Sequence, residues 1–311
     1  MKRRRLGRGL TDLPAAPGGA DLAPTFADYL ASLRPDAGAP RAAGSRCGPP
    51  PGSGPKIVCI TSGKGGTGKS VLTSNLAVHL AAAGIRVMAV DADMGLANLH
   101  LLMGMRPSRT VLEVIQRGAS LDDIAEFGPM GLRLAAGGSG RPEMADLHPA
   151  RLHRLVAAME GLGRRAELVL VDTGAGIGRS TTSFLYSLRE ILVVTTPDLT
   201  AMTDAYAVIK HVAHNNAAAR LSLVVNRVPS ARDGLEVSSR IEAICRRFLG
   251  RSIRYLGHIL DDPRVSTSVA ARIPILLNQP ASPAAACLRG IGRSLLLEVG
   301  PHRDPSSAQA H

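Results

Sequence analysis

The chain has 311 residues, 45% hydrophobic and only 3% aromatic, so it is long enough to bury an aliphatic core of the kind that parallel sheets and their covering helices share. Its four cysteines form no C-x-x-C pair, which argues against a zinc site or a disulfide framework and favours reduced thiols in a cytoplasm. No run is long enough to span a membrane, and the formal net charge of +12 is compatible with nucleic acid, an anionic membrane or an arginine-rich background.

The first segment, residues 1–55, is rich in proline and glycine and predicts a disordered arm. Within it, residues 25–34 place Phe26, Leu30 and Leu33 at helical spacing. This spacing predicts a short amphipathic helix that folds on a partner, because so short a helix is not stable alone. A chance apolar cluster is an equally good interpretation of the spacing.

A glycine-rich segment follows the first apolar run, Lys56–Ile60, and precedes a helical pattern. Strand, loop and helix in this order are the context that the phosphate-binding pattern G-x-x-x-x-G-K-[ST] requires. We expect glycines here because the backbone N–H groups must surround a phosphate, Lys69 to reach the β- and γ-phosphates, and Ser70 to ligate Mg²⁺. The alternative is a chance glycine-rich turn. The residues of the loop are Gly63, Lys64, Gly65, Gly66, Thr67, Gly68, Lys69 and Ser70.

Beyond the loop, apolar strands alternate with amphipathic helices, which predicts an α/β fold with a doubly wound, mainly parallel sheet. One domain is expected over residues 56–299, followed by a polar tail at 300–311. The last helix has two interpretations, packing on the sheet or lying on an anionic membrane. The predicted strands are 86–90, 132–135, 168–171, 191–194, 221–225 and 255–259, and one predicted helix carries a core stripe of Val237, Ile241, Ile244 and Phe248.

Three aspartates stand at the carboxyl ends of predicted strands, where open parallel sheets bind their ligands. Asp172 follows the apolar run at 168–171 and precedes a glycine-rich segment, as a Walker B aspartate that holds Mg²⁺ would. We expect Asp93 to orient the attacking water and Asp91 to lie in the outer shell of the metal. Repulsion between them requires a cation nearby, for which Lys64 and Mg²⁺ are the candidates. Helix capping is the alternative role for each aspartate.

Together three stretches resemble the MinD/ParA ATPases with a deviant Walker A loop, and among these the flagellar branch FlhG. The resemblance implies a MinD-like P-loop NTPase fold, ATP and Mg²⁺ as cofactors, and a homodimer in which Lys64 reaches the nucleotide of the partner. It also assigns adenine binding to Asn226 and Arg227, with Asp261 beside them. The matching stretches are residues 63–70, 90–99 and 171–177.

For function, the resemblance implies a dimerisation switch that hydrolyses ATP and regulates flagellar number and placement. The partners it implies are an FlhF-like GTPase, flagellar switch-ring proteins and a flagellar transcription regulator. The arm is similar to the FlhF-stimulating peptide of the FlhG proteins at Asp28, Leu33 and Arg34, although Tyr29 and Leu30 replace its Gln and Ala.

Two alternatives come from other classes of protein. A MinD-type division-site ATPase or a ParA-type partition ATPase would bind membrane or DNA as an ATP dimer, and DNA is the less favoured partner of the two. A metabolic enzyme of the same fold would need a glutaminase motif or paired cysteines, which the sequence lacks. The expected location is cytoplasmic, with peripheral contact at the inner face of the cell membrane left open.

Overall fold

The structure is a computed structural model that describes residues 54–138 and 149–299. The predicted arm helix, with its three partner-binding residues, and the polar tail lie outside the described residues. The strands are β1 Lys56–Ser62, β2 Val87–Ala92, β3 Glu126–Phe127, β4 Arg133–Ala135, β5 Leu168–Ala175, β6 Glu190–Thr195, β7 Arg220–Val228 and β8 Arg254–Leu260.

The α-helices of the described region connect these strands. They are α1 Lys69–Ala82, α2 Leu99–Leu102, α3 Val111–Arg117, α4 Leu121–Ile124, α5 Pro149–Glu160, α6 Arg179–Ser187, α7 Leu199–Asn215, α8 Ala231–Leu249, α9 Pro263–Ala271, α10 Ile275–Asn278 and α11 Pro283–Val299. Each strand predicted from the apolar pattern is present, with bounds shifted by a few residues.

The strands form one sheet with the order β3-β4-β2-β5-β1-β6-β7-β8. All neighbouring pairs are parallel except β3 with β4. The doubly wound, mainly parallel sheet predicted from the sequence is therefore confirmed. Strand β3 was not predicted, because two residues are too short to show the alternation that identifies a strand.

Two hydrophobic clusters lie on the two faces of the sheet, because successive side chains of a strand point to opposite faces. In β1, Cys59 belongs to one cluster, whereas Val58 and Ile60 belong to the other. The central strand is thus buried on both faces, as its unbroken apolar sequence indicates. Its carboxyl end, and with it the glycine-rich loop, is held by packing on both sides.

The last helix, α11, is part of the second cluster. Leu288, Ile291 and Leu295 are each at most 2% exposed, and the helix packs on β8 and α1. The interpretation of this helix as a core helix is confirmed, and its apolar face is not available to a membrane. Within the described residues, no helix has both the length and the apolar content that crossing a membrane requires.

The predicted core stripe of α8 is wrong at two positions. Val237 and Ile241 are buried, but Cys245 takes the next buried position, whereas Ile244 is 40% and Phe248 is 64% exposed. Helical spacing identifies side chains that share a face, but it does not show where the neighbouring sheet ends. Phe248 lies in the last turn of the helix, next to the loop that leads to β8.

Candidate functional site

The glycine-rich loop connects β1 to α1 at the carboxyl edge of the sheet, and three of its glycines are required by geometry. Gly66 and Gly68 have φ angles of +80° and +89°, in the left-handed region that other residues rarely adopt. At Gly63, an added Cβ would lie 2.2 Å from the backbone oxygen of Asp204 in α7. The first half of the loop therefore packs directly against the backbone of α7.

The loop has the features of an anion cradle. The first N–H groups of α1 lack partners within the helix and give its amino end a partial positive charge. A Cβ at Gly65 or Gly66 would meet no atom within 4 Å, so space is open on this side of the loop. The buried Thr67 hydroxyl has no hydrogen-bond partner among the described residues. Phosphate oxygens fit these donors.

Lys69 and Asp172 form a buried ion pair beneath the loop. Lys69 Nζ lies 3.2 Å from Asp172 Oδ1, and the two residues are 7% and 1% exposed. Asp172 also accepts hydrogen bonds from the hydroxyl of Thr73, at 3.1 Å, and from the side chain of Ser70. Burial raises the pKa of Asp172, and Lys69 offsets part of that effect. The pair joins the loop to the end of β5.

A second buried carboxylate lies beside the first. Asp91 is opposite Asp172 in the register of β2 and β5 and is fully buried. Its oxygens accept the N–H groups of Asp93, at 3.2 Å, and Leu99, at 3.0 Å. Burial, followed by the charge of Asp172, raises the pKa of Asp91 to about 8. The oxygens of these two adjacent carboxyl groups are donors that fit a divalent cation.

The size of this donor set suits Mg²⁺. Within the ranges that the structure describes, no group of three or more His, Cys, Asp or Glu side chains is arranged to hold a metal. Mg²⁺ is commonly bound by one or two carboxylates together with waters and substrate phosphates rather than by a complete protein cage. Ser70, Asp91 and Asp172, the three predicted ligands, are all at the carboxyl edge of the sheet.

Asp93 lies just past the end of β2 and is half-buried. Its Oδ1 accepts the backbone N–H groups of Gly95, at 3.2 Å, and Leu96, at 3.0 Å. A Cβ added to Gly174 would lie 3.7 Å from the same oxygen. Asp93 thus faces the glycine-rich segment that follows Asp172, between the two strand ends that form the site.

The structure places Lys64 away from the aspartates with which sequence reasoning paired it. Lys64 is exposed, and its Nζ donates a hydrogen bond of 3.1 Å to the Thr200 hydroxyl at the start of α7. The cause is the sheet order. Gly63 holds this part of the loop on the β6 side of β1, whereas Asp91 and Asp93 follow β2 on the other side of β5.

The three predicted adenine-binding residues form a group beside the loop. Asn226 Nδ2 donates a hydrogen bond of 2.7 Å to the Thr67 carbonyl. Arg227 has a φ angle of +57°, and its Nε lies 3.8 Å from Asp261 Oδ1 with both side chains about two thirds exposed. Asn226 and Arg227 lie in β7 and Asp261 directly follows the adjacent β8, which explains how Arg227 and Asp261, 34 positions apart in sequence, meet at one rim.

Sequence reasoning missed several side chains of the site. Thr73 donates to Asp172, Thr200 accepts from Lys64, and the backbone of Asp204 packs against Gly63, yet none of the three lies in the loop or at a predicted strand end. Only Thr73 had a local signal, because it lies one helical turn after Lys69 and therefore on the same face of α1.

Comparison with known proteins identifies the architecture. The family described as the CobQ/CobB/MinD/ParA nucleotide binding domain matches residues 58–275. The antiactivator FleN of Pseudomonas aeruginosa is 33% identical over 240 residues, which cover 77% of this chain and 86% of FleN. The flagellum site-determining protein YlxH of Helicobacter pylori is 37% identical over 206 residues, which cover 66% of this chain and 69% of YlxH.

Among solved structures, the septum site-determining protein MinD from Pyrococcus horikoshii, complexed with Mg-ADP, superimposes with a TM-score of 0.67 at 25% identity. The match covers 79% of this chain and 98% of that protein. The family match at residues 58–275 includes the entire glycine-rich loop and the three aspartates.

Proposed function

This chain belongs to the CobQ/CobB/MinD/ParA nucleotide-binding family and is an ATPase of the MinD/ParA type, and we propose that ATP controls its dimerisation and thereby flagellar number and placement. The names of its relatives FleN and YlxH support the flagellar role. The observation that carries the switch is the position of Lys64, an exposed cation on the loop that contacts none of the site's own carboxylates.

Phosphate binding falls to the loop backbone, Thr67 and Lys69. Ser70, Asp91 and Asp172 would hold Mg²⁺, which when bound neutralises charge on the phosphates. Lys69 forms an ion pair with Asp172 in this structure. When a phosphate binds, the ammonium group of Lys69 must therefore interact with two anions, the phosphate and Asp172. Asp93, half-buried beside Gly174, holds the attacking water in line.

Exposed apolar side chains surround the mouth of the site. Leu96 is 75%, Ile177 is 53% and Leu199 is 78% exposed. Leu96 follows the end of β2, Ile177 follows the end of β5 and Leu199 begins α7 after β6, so all three lie at the carboxyl edge of the sheet, as the loop does. Apolar side chains grouped in this way mark an interaction surface, and we assign it to a second copy of the chain. Lys64, on the same surface, then reaches the nucleotide of the partner.

Adenine binds at the rim formed by Asn226, Arg227 and Asp261 in this proposal. Asn226 donates to the Thr67 carbonyl through Nδ2 and accepts the backbone N–H of Arg227, at 2.9 Å, through Oδ1, so both ends of its amide are already engaged. Arg227 and Asp261 supply a donor and an acceptor at the solvent edge. Nucleotide selectivity would therefore depend mainly on the exposed pair.

The proposed partners are those implied by the flagellar relatives, an FlhF-like GTPase, switch-ring proteins and a transcription regulator. Contact with the GTPase is assigned to Asp28, Leu33 and Arg34 of the arm. A peptide of residues 1–40 should stimulate GTP hydrolysis by the cognate GTPase, and a peptide with all three residues changed to alanine should not. No stimulation by the native peptide would remove this partner from the proposal.

The test of the switch is oligomeric state measured by light scattering with ADP and with ATP. Asp93→Ala should accumulate as a dimer with ATP, because hydrolysis that ends the dimer is lost, and Lys64→Ala should remain a monomer. Lys56→Ala is the matched control, since Lys56 is an exposed lysine at the start of β1, at the opposite edge of the sheet from the loop. Dimerisation of Lys64→Ala equal to that of the control would refute the role given to Lys64.

The flagellar role is tested in the source cell by deleting the gene and counting flagella by electron microscopy. Abnormal flagellar number, restored by the wild-type gene but not by Lys64→Ala, is the expected result. The MinD-type neighbour favours division-site placement as the second candidate. Normal flagella with misplaced septa after deletion would select that alternative.

A further inference from the structure

The amino edge of the sheet, opposite the nucleotide site, carries a cluster of arginines. Strands β6, β7 and β8 begin at or directly after an exposed arginine, and α8 ends among others, because it runs back across the sheet from the carboxyl edge. We call this cluster the arginine patch. Its members are Arg189, Arg220, Arg246, Arg247, Arg251 and Arg254, together with the apolar side chains Ile244 and Phe248.

Hydrogen bonds make the patch one continuous surface. Arg251 donates to the carbonyls of Ala217, at 2.8 Å, and Ala219, at 2.6 Å, so the loop after α8 is fixed to the loop before β7. The backbone N–H of Arg220, the next residue, donates to the carbonyl of Arg189 at 2.7 Å. The guanidinium groups are therefore carried by a rigid frame of strand ends, not by a free loop.

Positive charge dominates the patch. Two of its six arginines form ion pairs with glutamates, Arg220 at 3.0 Å and Arg246 at 2.7 Å. Arg220 remains 74% exposed despite its pair. Pairs this exposed are weak and exchange readily with other anions. The surface thus attracts a partner of negative charge.

Phe248 and Ile244 give the patch an apolar centre. They lie on successive turns of α8 and are 64% and 40% exposed. The guanidinium of Arg247 lies over the Phe248 ring, 5.2 Å from its centroid, which orients the ring and keeps a positive charge beside it. An exposed aromatic residue with an arginine over its ring has the composition of a protein-binding hot spot.

We propose that the arginine patch docks an acidic amphipathic segment of a partner protein, with its apolar side chains on Phe248 and Ile244 and its carboxylates on the surrounding arginines. A nucleic acid is the less suitable occupant, because it has no aliphatic group to pack on Ile244. A membrane is also less suitable, because two apolar side chains bury too little surface to anchor the chain in a bilayer. Residues 1–53 carry eight basic against four acidic side chains, and a second copy would bring the same arginines, so neither complements the patch.

The position of the patch predicts how docking relates to nucleotide. It lies at the opposite end of the parallel strands from the loop, so a bound segment leaves both the phosphate site and the apolar surface around it accessible. We therefore expect the same affinity without nucleotide, with ADP and with ATP. This expectation separates the test of the patch from the test of the dimerisation switch.

The experiment measures fluorescence anisotropy of a labelled peptide of about 16 residues, roughly four helical turns, with leucines at i, i+3 and i+4 spacing between glutamates. The full chain should bind it with a Kd that rises about tenfold in Phe248→Ala and in Arg247→Glu. Leu235→Ala and Arg232→Glu are matched controls, because both residues are exposed on the first turns of the same helix. Far-ultraviolet circular dichroism verifies that each variant is folded.

Equal binding of a scrambled peptide, or equal loss of affinity in the two control variants, would overturn the proposal. A strand of poly-dT and vesicles of phosphatidylglycerol serve as the other anionic probes. If either binds the wild-type chain more tightly than the peptide does and loses that binding in Arg247→Glu, the patch is a nucleic-acid or lipid surface and the assignment to a protein segment is wrong.

Discussion

Removing Lys69 should destabilise the nucleotide-free protein as well as abolish hydrolysis. Lys69 is the charged partner of Asp172, 3.2 Å away, and both are almost completely buried beside Asp91. In Lys69→Ala, the buried carboxylate of Asp172 remains beside Asp91 without its cationic partner. Removing one partner of a buried pair costs about 3–5 kcal/mol. Asp172 keeps its hydrogen bond from Thr73, which places the expected loss near 3 kcal/mol, on the order of a quarter to a half of a typical domain's stability.

A double variant separates the charge effect from the loss of the side chain. Asp172→Asn added to Lys69→Ala removes the unpaired charge, so it should recover roughly 2 kcal/mol of the free energy of unfolding, while ATP hydrolysis stays absent. Between the single and the double variant the free energy of unfolding therefore recovers while hydrolysis does not, which a general loss of folding would not produce.

The assay is urea unfolding followed by circular dichroism, in EDTA and without nucleotide, for the wild type and both variants. Lys56→Ala is the control, because that lysine is exposed at the start of β1, the strand that leads into the loop, and its stability should stay within about 0.5 kcal/mol of the wild type. A single variant as stable as the control, or a double variant no more stable than the single one, would refute the argument that Lys69 compensates buried negative charge.

Three other predictions test neighbouring parts of the structure. Gly63→Ala should lower the free energy of unfolding by about 1–3 kcal/mol and remove most nucleotide affinity, because its Cβ would lie 2.2 Å from the backbone oxygen of Asp204. Gly65→Ala should keep the stability of the wild type, because a Cβ there meets open space. Thermal unfolding of the two variants tests both expectations. Burial and two arginines of α11 lower the pKa of His79 from 6.5 to about 4, so stability should fall by up to about 3 kcal/mol as pH drops from 6.5 towards 4. A His79→Gln variant with the same pH dependence would contradict that assignment. Asn226→Ala removes a 2.7 Å bond to the loop and should cost about 1 kcal/mol and weaken binding of a fluorescent ATP analogue; unchanged affinity would place Asn226 outside the site.

Local patterns were sufficient to predict the architecture and the position of the loop. The alternation of aliphatic strands with amphipathic helices predicted a mainly parallel sheet, and the sheet has that form. Gly66 and Gly68 adopt positive φ angles for which glycine is the favoured residue, so the local sequence is enough to predict this loop conformation. Asp91 and Asp172 were predicted at strand ends because parallel strands end at one edge.

Contacts between distant elements required the tertiary structure. Spacing along α8 grouped Phe248 with the core, but the extent of the neighbouring sheet leaves it exposed in the arginine patch. Lys64 was paired with the aspartates by charge alone, whereas the packing of Gly63 on α7 directs it to Thr200. Nothing local indicates which helix lies beside a loop.

The sequence by itself therefore determined which residues form the phosphate loop, which carboxylates end the strands and which family the chain resembles. Tertiary structure alone decided the register that sets Asp91 against Asp172, the side of the sheet on which Lys64 lies, and the assembly of arginines from three strand ends into one surface. The physical reason is that periodicity encodes the direction of a side chain within its own element. The neighbours of a side chain in other elements depend on the order of the strands, and that order follows from burying both apolar faces of the sheet at once.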